Sequence, residues 1–386
     1  MSKFDERTEL IHAGSAKADP ASAVTVPVYF SSTFRQPHFE GGAPYGYARG
    51  SNPTREALES LIAQLEGGTH AFAFASGMAA TQAALSLLEA GDRVLASRNI
   101  YGGTYDLLQH VFSHFGVSFA LVETTNIASV EAALTPDVKA IFVESPSNPT
   151  LEVTDLRKIA ALAKKHGILS IVDNTFMSPY LQRPLEFGID VVVESATKYL
   201  GGHSDLIGGV LAVNDDALAE RVHRIQALVG GIMQPFDAFL LARGIRTLSV
   251  RLDRQVENAI AIAEFLKKHP AVRTLHYPGL ADDPGYEVQK TQAKNGGAML
   301  SFELDEAYDI KTFFEALEIF TNGASLGGVE ALIGHPATTS HRGIPAEIRE
   351  KVGITDRLVR VSPGIEYAGD LINDLAQALQ KAEPKA

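Results

Sequence analysis

The chain has 386 residues, of which 45% are apolar, and its formal net charge is -12 at pH 7. This length and composition can form a large buried core and predict two globular domains rather than a disordered chain. The negative charge disfavours nucleic acid and anionic membranes as partners. Because the sequence contains no cysteine, disulfides, thiolate metal sites and a cysteine nucleophile are excluded.

The start of the chain, residues 1–7, carries charged side chains and lacks the apolar core of a signal peptide. No uninterrupted apolar stretch is long enough to span a bilayer. The absence of cysteine also fits a reducing compartment. We therefore expect a cytoplasmic protein.

The first fifty residues contain few periodic segments but many proline, glycine and aromatic positions. Such a segment has no regular apolar face with which to build a core of its own. It predicts an N-terminal arm, over residues 1–55, that lies on another surface.

From about residue 70 to residue 215, helical patterns alternate with short β-branched runs, which is typical of βαβ units and a mostly parallel sheet. The near-continuous apolar character of these runs indicates a sheet covered by helices on both faces. A capped amphipathic helix is predicted over residues 155–166, between Thr154 and Gly167. We assign residues 56–240 to this large domain. Its predicted strands are residues 93–96, 140–144, 169–172, 191–194 and 209–213.

After residues 231–235 the pattern changes to a long helix over residues 248–269, closed by Pro270. Further strands are predicted at residues 272–276, 299–303 and 359–361, and helices at residues 310–320 and 371–381. These elements predict a second, smaller α/β domain over residues 241–386.

Lys198 directly follows the predicted strand at residues 191–194, with Ser195 and Thr197 beside it and glycines after it. A primary amine in this position can form a Schiff base with an aldehyde such as pyridoxal phosphate, if its pKa is low enough to supply the neutral amine. The alternative is an ordinary surface lysine beyond a strand end. This local sequence by itself favours neither interpretation.

Two more segments carry suitable groups at strand ends, where open α/β sheets bind ligands. Residues 72–81 run from a strand-like segment through Ser76 and Gly77 into an alanine-rich helix, whose first N–H groups can bind a phosphate. Tight packing of small residues on the sheet is the alternative there. Asp173 ends another strand, where a carboxylate can keep a ring nitrogen protonated or simply form a turn.

Two other classes of enzyme have weak support. Residues 323–327 match the G-x-S-x-G pattern of a hydrolase nucleophile, but the last histidine, His341, follows Ser325 by only sixteen residues. The twelve histidines include no compact metal-binding motif. Dinucleotide-binding and P-loop glycine patterns are also missing.

Eight segments together resemble the Cys/Met-metabolism group of fold-type I pyridoxal phosphate enzymes, which includes cystathionine γ-synthase, cystathionine γ-lyase and methionine γ-lyase. They occur in the order of that family and cover nearly the whole chain. The segments are residues 47–55, 76–80, 101–104, 144–149, 172–175, 195–199, 325–328 and 360–366.

The resemblance implies that pyridoxal 5'-phosphate is the cofactor and that Lys198 binds it as a Schiff base and later carries protons. Asp173 would keep the pyridine nitrogen protonated, and Tyr101 would stack on the ring and assist proton transfer. The phosphate would be held by two backbone N–H groups and two hydroxyls, those of Gly77, Met78, Ser195 and Thr197.

The resemblance also implies how substrate and subunits are arranged. Arg360 would bind the α-carboxylate of an amino-acid substrate through a bidentate contact, with Asn148 and Ser325 beside it. Tyr47 and Arg49, on the arm, would reach the phosphate of a neighbouring subunit. A homotetramer, built as a dimer of dimers with shared active sites, is therefore expected.

The implied activity is that of a PLP-dependent carbon–sulfur lyase. We expect α,γ-elimination on a γ-substituted, sulfur-containing amino acid, which releases a 2-oxo acid, ammonia and the γ leaving group. The alternatives are a γ-replacement transferase, either cystathionine γ-synthase or O-acylhomoserine sulfhydrylase, and a cystathionine β-lyase. A non-catalytic binding protein would need neither Lys198 nor Asp173.

Some positions depart from the family pattern. Gly46 and Ala324 stand where enzymes that act on cystathionine often have acidic residues, so the distal ammonium of cystathionine lacks two expected partners. Gly103 replaces the cysteine of methionine γ-lyases, and Thr339 and Ser340 stand where Met-Thr is usual. Neutral drift is the alternative explanation. These departures slightly favour a homocysteine-like or methionine-like substrate over cystathionine.

Overall fold

The computed structural model describes residues 4–14 and 22–384. Within them, twelve strands form two sheets. The first sheet consists of β1 His70–Phe74, β2 Arg93–Ser97, β3 Ser118–Val122, β4 Val138–Glu144, β5 Leu169–Asp173, β6 Val191–Ser195 and β7 Gly209–Val213. The second consists of β8 Val272–His276, β9 Leu300–Leu304, β10 Thr321–Asn322, β11 Leu332–Gly334 and β12 Leu358–Ser362.

Fourteen α-helices lie in the same described residues, and none of them is long and apolar enough to cross a membrane. They are α1 Glu6–His12, α2 Pro53–Leu65, α3 Gly77–Leu85, α4 Gly102–His110, α5 Ile127–Ala132, α6 Leu156–His166, α7 Ser178–Leu181, α8 Asp216–Val229, α9 Pro235–Ile245, α10 Leu248–Leu266, α11 Tyr286–Gln292, α12 Ile310–Ala316, α13 Ala346–Lys351 and α14 Ala368–Lys381.

The first sheet has the strand order β1-β7-β6-β5-β4-β2-β3. The four pairs from β6 to β3 are parallel, and only β7 runs antiparallel to its neighbours β1 and β6. The prediction of a mostly parallel sheet is confirmed. Because β4, β5 and β6 are parallel neighbours, their carboxyl ends meet at one edge of the sheet, where Glu144 pairs in register with Asp173.

Both faces of the first sheet are buried, as the continuous apolar runs predict. Alternate residues of one strand enter two separate cores: Ile171 packs into one of them and Val172 into the other. Helix α6 covers one face, and Asp155 caps it by accepting a hydrogen bond from the Lys158 N–H. It ends at Gly167, whose φ of 63° is the left-handed conformation of a helix C-cap.

The second sheet has the order β10-β11-β12-β9-β8. The predicted strands 272–276, 299–303 and 359–361 correspond to β8, β9 and β12, within one or two residues at each end. The domain limits at residues 55 and 240 stay a prediction.

Two predicted helices end early. Helix α10 stops at Leu266 rather than at His269, and helix α12 stops at Ala316 rather than at Phe320. The side chain of Asp374 on α14 accepts hydrogen bonds from the N–H groups of Glu318, Ile319 and Phe320. These donors are thereby satisfied outside a helix, so the chain turns towards α14 instead of continuing.

Candidate active site

A cavity of about 230 Å³ lies at the carboxyl ends of β4, β5 and β6. The last residues of the three strands, Glu144, Asp173 and Ser195, line it together with the start of α3. Arg360 of β12 and Ala324, in the loop after β10, line the opposite side. The cavity is therefore built from both sheets.

Lys198 lines the cavity just beyond β6. Its Nζ donates a hydrogen bond of 3.0 Å to the Ser325 hydroxyl. Burial, and then the positive charge of Arg360, lower the pKa of the Lys198 amine to about 8. The neutral amine that a lysine nucleophile requires is therefore a minor but appreciable form near physiological pH, whereas it would be rare for an ordinary lysine.

Asp173 is fixed by the residue two positions after it. Its Oδ1 accepts a hydrogen bond of 3.0 Å from the Thr175 N–H. The Thr175 hydroxyl in turn accepts one of 2.8 Å from the Ser195 N–H, which joins the ends of β5 and β6. Burial raises the pKa of Asp173, so a cationic partner in the cavity would stabilise its charged form.

An anion seat lies where α3 begins. Ser76 caps this helix by accepting a hydrogen bond from the Ala79 N–H, and the first N–H groups of a helix have no acceptor within it. Ser195 and Thr197 also line the cavity with hydroxyl-bearing side chains. A Cβ atom on Gly77 would lie only 2.8 Å from the Cβ of Ser195, so the close approach of helix and strand requires glycine there.

Tyr101 lies at the N-cap of α4 and lines the cavity next to Met78. Its backbone N–H donates a hydrogen bond of 2.9 Å to Oε2 of Glu144. Burial raises the pKa of the Tyr101 phenol. A Cβ atom on Gly103 would lie 2.5 Å from Cε1 of the Tyr101 ring, so a cysteine at this position would force the ring to move.

Arg360 is only 4% exposed. Its Nη1 donates to Oδ1 of Asn148 at 3.1 Å, and its Nη2 donates to the backbone oxygen of Ser325 at 3.1 Å. Burial lowers its pKa to about 10, which leaves the guanidinium charged at neutral pH. A buried, oriented guanidinium of this kind suits a carboxylate.

Tyr47 and Arg49 are not among the residues that line the cavity of their own chain. Both are exposed, and Arg49 donates a hydrogen bond to the backbone oxygen of Ala227. The buried guanidinium of Arg55 holds this part of the arm by donating to the backbone oxygens of Ala48 and Gly50, at 2.8 and 3.0 Å. The arm is thus presented outward rather than towards its own site.

Several lining residues were given no role in the site from the sequence, among them Glu144, Thr175 and Ser340. The first two lie at the ends of β4 and β5, so their position at strand ends was a usable signal. Ser340 lies far along the chain, and no local pattern connects it with the cavity.

The hydrolase pattern has no matching geometry. Ser325 lies between β10 and β11 rather than between a strand and a helix. The Nδ1 atom of His341 pairs with the Ser340 hydroxyl at 2.9 Å instead. Across residues 4–14 and 22–384, no three His, Asp or Glu side chains cluster closely enough to hold a metal ion.

These features fit one kind of group, a phosphorylated aldehyde with a basic ring nitrogen. The Lys198 amine suits the aldehyde, and the Asp173 carboxylate suits a protonated ring nitrogen. The start of α3, with the approach that Gly77 permits, suits the phosphate.

Comparison with known proteins agrees. The family described as "Cys/Met metabolism PLP-dependent enzyme" matches residues 7–380. The chain is 45% identical to cystathionine β-lyase MetC of Bacillus subtilis (strain 168), over 98% of this chain and 97% of that protein.

Two solved structures are similar along their whole length. The cystathionine γ-lyase from Lactobacillus plantarum complexed with L-serine has a TM-score of 0.96 and 46% identity, covering 98% of this chain and 99% of that one. The cystathionine γ-synthase from Xanthomonas oryzae pv. oryzae in complex with aminoacrylate and cysteine also has a TM-score of 0.96, with 41% identity and 99% coverage of both chains. The chain therefore belongs to the pyridoxal phosphate-dependent enzymes of Cys/Met metabolism and has their fold-type I architecture.

Proposed function

We propose that the protein is a carbon–sulfur lyase that catalyses α,γ-elimination on a γ-substituted, sulfur-containing amino acid. The products are a 2-oxo acid, ammonia and the γ leaving group. The observation that carries this proposal is the shared cavity of Lys198, Asp173 and Arg360. It combines a weakly basic amine, a buried carboxylate and a buried guanidinium.

Six residues would hold the cofactor besides Lys198. Asp173 would pair with the ring nitrogen and Tyr101 would cover the ring. The phosphate would lie against the N–H groups of Gly77 and Met78 and the hydroxyls of Ser195 and Thr197. When bound, pyridoxal phosphate supplies an electron sink that acidifies the substrate's Cα and then its Cβ proton.

Lys198 would then act as the mobile base and acid. Its pKa of about 8 lets Nζ accept a proton and return it within the same turnover. Its hydrogen bond to the Ser325 hydroxyl fixes the direction of the amine. The hydrogen bond thus directs the amine towards Arg360, where the substrate carboxylate would bind.

Arg360 and Asn148 would orient the substrate. The contact between Arg360 Nη1 and Asn148 Oδ1 holds the guanidinium in place before the carboxylate arrives. With the carboxylate held there, the α-carbon can lie within reach of Lys198. This positioning supports a reaction at Cα that continues along the side chain.

Tyr47 and Arg49 would contribute to the site of a neighbouring subunit. Their exposure, together with the buried Arg55 that holds the backbone beside them, supports this role. We propose a homotetramer, a dimer of dimers, in which each dimer builds two complete sites.

Three observations bear on the choice of substrate and reaction. Ala324 lines the cavity and offers no charge to the distal ammonium of cystathionine, which favours methionine-like or homocysteine-like substrates. The 45% identity to a cystathionine β-lyase favours a second candidate, β-elimination of cystathionine to pyruvate. The γ-synthase relative keeps γ-replacement as a third.

A product screen separates these reactions. The purified enzyme is supplied with L-methionine, L-homocysteine, L-cystathionine or an O-acylhomoserine, and 2-oxobutanoate, pyruvate and thioethers are measured separately. Release of 2-oxobutanoate from a thioether or thiol substrate is the expected result. Predominant pyruvate from cystathionine would replace α,γ-elimination with β-elimination. Consumption of O-acylhomoserine that depends on added cysteine or sulfide would identify a transferase.

Lys198→Ala is the control for the screen. This variant should release neither oxo acid, since Lys198 is the proposed site of attachment and the proton carrier. Turnover at the wild-type rate in Lys198→Ala would contradict the proposed mechanism for every substrate.

A further inference from the structure

Glu144 is a buried carboxylate in the cavity wall to which the proposed chemistry gives no role. It is the last residue of β4, 6% exposed, and in register with Asp173 at the end of β5. Its own backbone N–H donates to the Ser97 hydroxyl at 3.3 Å, which ties it to the end of β2. The residue is therefore fixed at three neighbouring strand ends.

The two carboxylate oxygens of Glu144 bind two different segments. Oε2 accepts a hydrogen bond of 2.9 Å from the Tyr101 N–H, and Oε1 accepts one of 2.8 Å from the Asn148 N–H. Tyr101 has no side-chain cap of its own at the start of α4. Glu144 thus provides the acceptor at that helix start and also fixes the turn that carries Asn148.

We propose that Glu144 is a positioning residue that sets the distance between the ring-covering Tyr101 and the carboxylate-binding pair Asn148 and Arg360. Only a carboxylate can do this, because both of its oxygens accept hydrogen bonds while an amide offers one acceptor and one donor. Glutamine would turn its NH₂ group towards one of the two N–H groups. One of the two hydrogen bonds that link Glu144 to Tyr101 and Asn148 would then be lost. We call this pair of hydrogen bonds the Glu144 bridge.

The two hydrogen bonds, rather than the electrostatic surroundings, are the evidence for this role. Burial and the nearby Asp173 carboxylate raise the pKa of Glu144 well above its ordinary range, while the two N–H donors and the guanidinium of Arg360 act in favour of its charged form. Its negative charge in turn favours the charged form of Arg360. Glu144 in its charged form therefore also stabilises the positive charge of Arg360, to which the substrate carboxylate would bind.

The test uses the holoenzyme of Glu144→Gln and Glu144→Asp, with Glu152→Gln as the matched control. Glu152 lies eight residues further on; its side chain pairs with Arg98, and only its backbone bonds to Ser147 of the turn that carries Asn148. Cofactor content, the visible circular dichroism of the bound cofactor, kcat and KM are measured for each. The inference rests on the proposed function for the roles of Tyr101 and Asn148, so the spectra provide a readout that needs no turnover.

The expected result for Glu144→Gln is a folded protein that retains cofactor but has an altered dichroism band. Its kcat/KM should be about 10- to 100-fold lower, because small displacements of positioning groups have effects of this size. Both kcat, through Tyr101, and KM, through Asn148, should change. Glu144→Asp should recover part of the loss, and Glu152→Gln should match the wild type.

A double-variant cycle gives a second readout. If Glu144 acts through Asn148, then Glu144→Gln should raise KM less in an Asn148→Ala background than in the wild type. Additive effects on KM would contradict the bridge. A lower melting temperature with unchanged kcat, KM and dichroism would also contradict it, since that pattern marks a merely structural residue.

Two further outcomes are decisive. If Glu144→Gln does not fold, wild-type kinetics and dichroism in Glu144→Asp would overturn the proposal, and an intermediate defect would support it. If the wild-type enzyme cleaves no thioether, the proposed function fails by itself. The dichroism of Glu144→Gln against Glu152→Gln would then still decide the role of Glu144.

Discussion

The amino group of Lys198 donates a hydrogen bond of 3.0 Å to the hydroxyl of Ser325, and the two residues follow strands of different sheets. Lys198 follows β6 of the first sheet, and Ser325 follows β10 of the second. The second sheet also supplies Arg360, whose charge contributes to the low pKa of Lys198. The reactivity of the lysine therefore depends on residues more than a hundred positions away.

The low pKa of Lys198 predicts how cofactor capture depends on pH. Below about pH 8 the amine is mostly protonated and not nucleophilic; above it the neutral form dominates. The rate at which apoprotein takes up pyridoxal phosphate should therefore rise with pH up to about 8 and then level off. Stopped-flow recording of the visible absorbance band measures this rate. A midpoint near the ordinary lysine value of 10.5 would contradict the prediction.

Arg360→Gln tests whether the charge of Arg360 contributes to the low pKa of Lys198. Removing the guanidinium removes the second influence that lowers the pKa of Lys198, so the midpoint of cofactor uptake should move to higher pH. Burial, which is the larger cause, remains and should keep the midpoint below that of an exposed lysine. An unchanged midpoint would show that the charge of Arg360 has no effect on the pKa of Lys198.

Gly77→Ala should weaken binding of the cofactor. The new Cβ would lie 2.8 Å from the Cβ of Ser195, so the start of α3 and the end of β6 must separate. We expect a loss of affinity of the order of tenfold, because the phosphate contacts depend on that separation. Titration of apoprotein with pyridoxal phosphate measures it. Gly231→Ala is the control, since its Cβ would meet Ala79 at an ordinary 3.5 Å; equal losses in both variants would rule out the explanation.

The sequence predicts the strands well where burial is complete. β5, β6 and β7 carry continuous apolar runs, and their predicted limits differ from the observed ones by at most one residue. β3 was not predicted although four of its five residues are apolar; it lies at the edge of the sheet and is only partly buried. Helix α12 was predicted too long because its end depends on Asp374, more than fifty residues away.

The residues of the site show the same difference between local and long-range signals. Lys198, Asp173 and Gly77 could be identified as candidates because each follows a strand or begins a helix, but only the family resemblance favoured their proposed roles over the alternatives; the structure brings all three to one cavity. Glu144 was not assigned a role, because its two partners come from segments 43 residues before it and 4 residues after it. These two contacts can be recognised only in the folded structure, where the strand ends lie next to each other.

A buried pair of carboxyl groups predicts that stability falls as pH rises. Glu66 and Glu194 are 1% and 2% exposed. Burial raises the pKa of Glu66 to about 7, and burial together with Glu66 raises that of Glu194 well above its ordinary range. Between pH 4.5 and pH 7 the unfolded chain releases protons that the folded protein keeps, so folding loses stability as the pH rises over this interval.

Glu66→Gln should remove most of this dependence. Compared with the wild type, the variant should lose about 1 to 3 kcal/mol less unfolding free energy between pH 5 and pH 8. Urea unfolding of the holoprotein at both pH values measures the difference. Glu220→Gln, on the exposed face of α8, is the control and should follow the wild type. A wild-type pH dependence in Glu66→Gln would show that Glu66 is not the group that keeps its proton in the folded protein.

Complementation between two inactive variants tests the role of the arm. Arg49→Ala should bind cofactor weakly, and Lys198→Ala should not react with it at all. If Arg49 serves the neighbouring subunit, a mixed dimer contains one site with both residues intact. Random mixing of equal amounts should therefore restore about a quarter of the wild-type activity. Activity no greater than the sum of the two separate variants would mean that Arg49 serves its own chain.

Ala324→Glu tests whether the cavity rim selects the substrate. Ala324 is exposed and lines the cavity, so a carboxylate there can face the distal ammonium of cystathionine, which methionine lacks. An exposed ion pair contributes up to about 1 kcal/mol, so the ratio of kcat/KM for cystathionine to that for methionine should rise about threefold to fivefold. Ala324→Gln has nearly the same size without the charge, and it should leave the ratio unchanged. The same rise in Ala324→Gln would attribute the effect to shape, whereas no rise in either variant would mean that the selection is made elsewhere in the cavity.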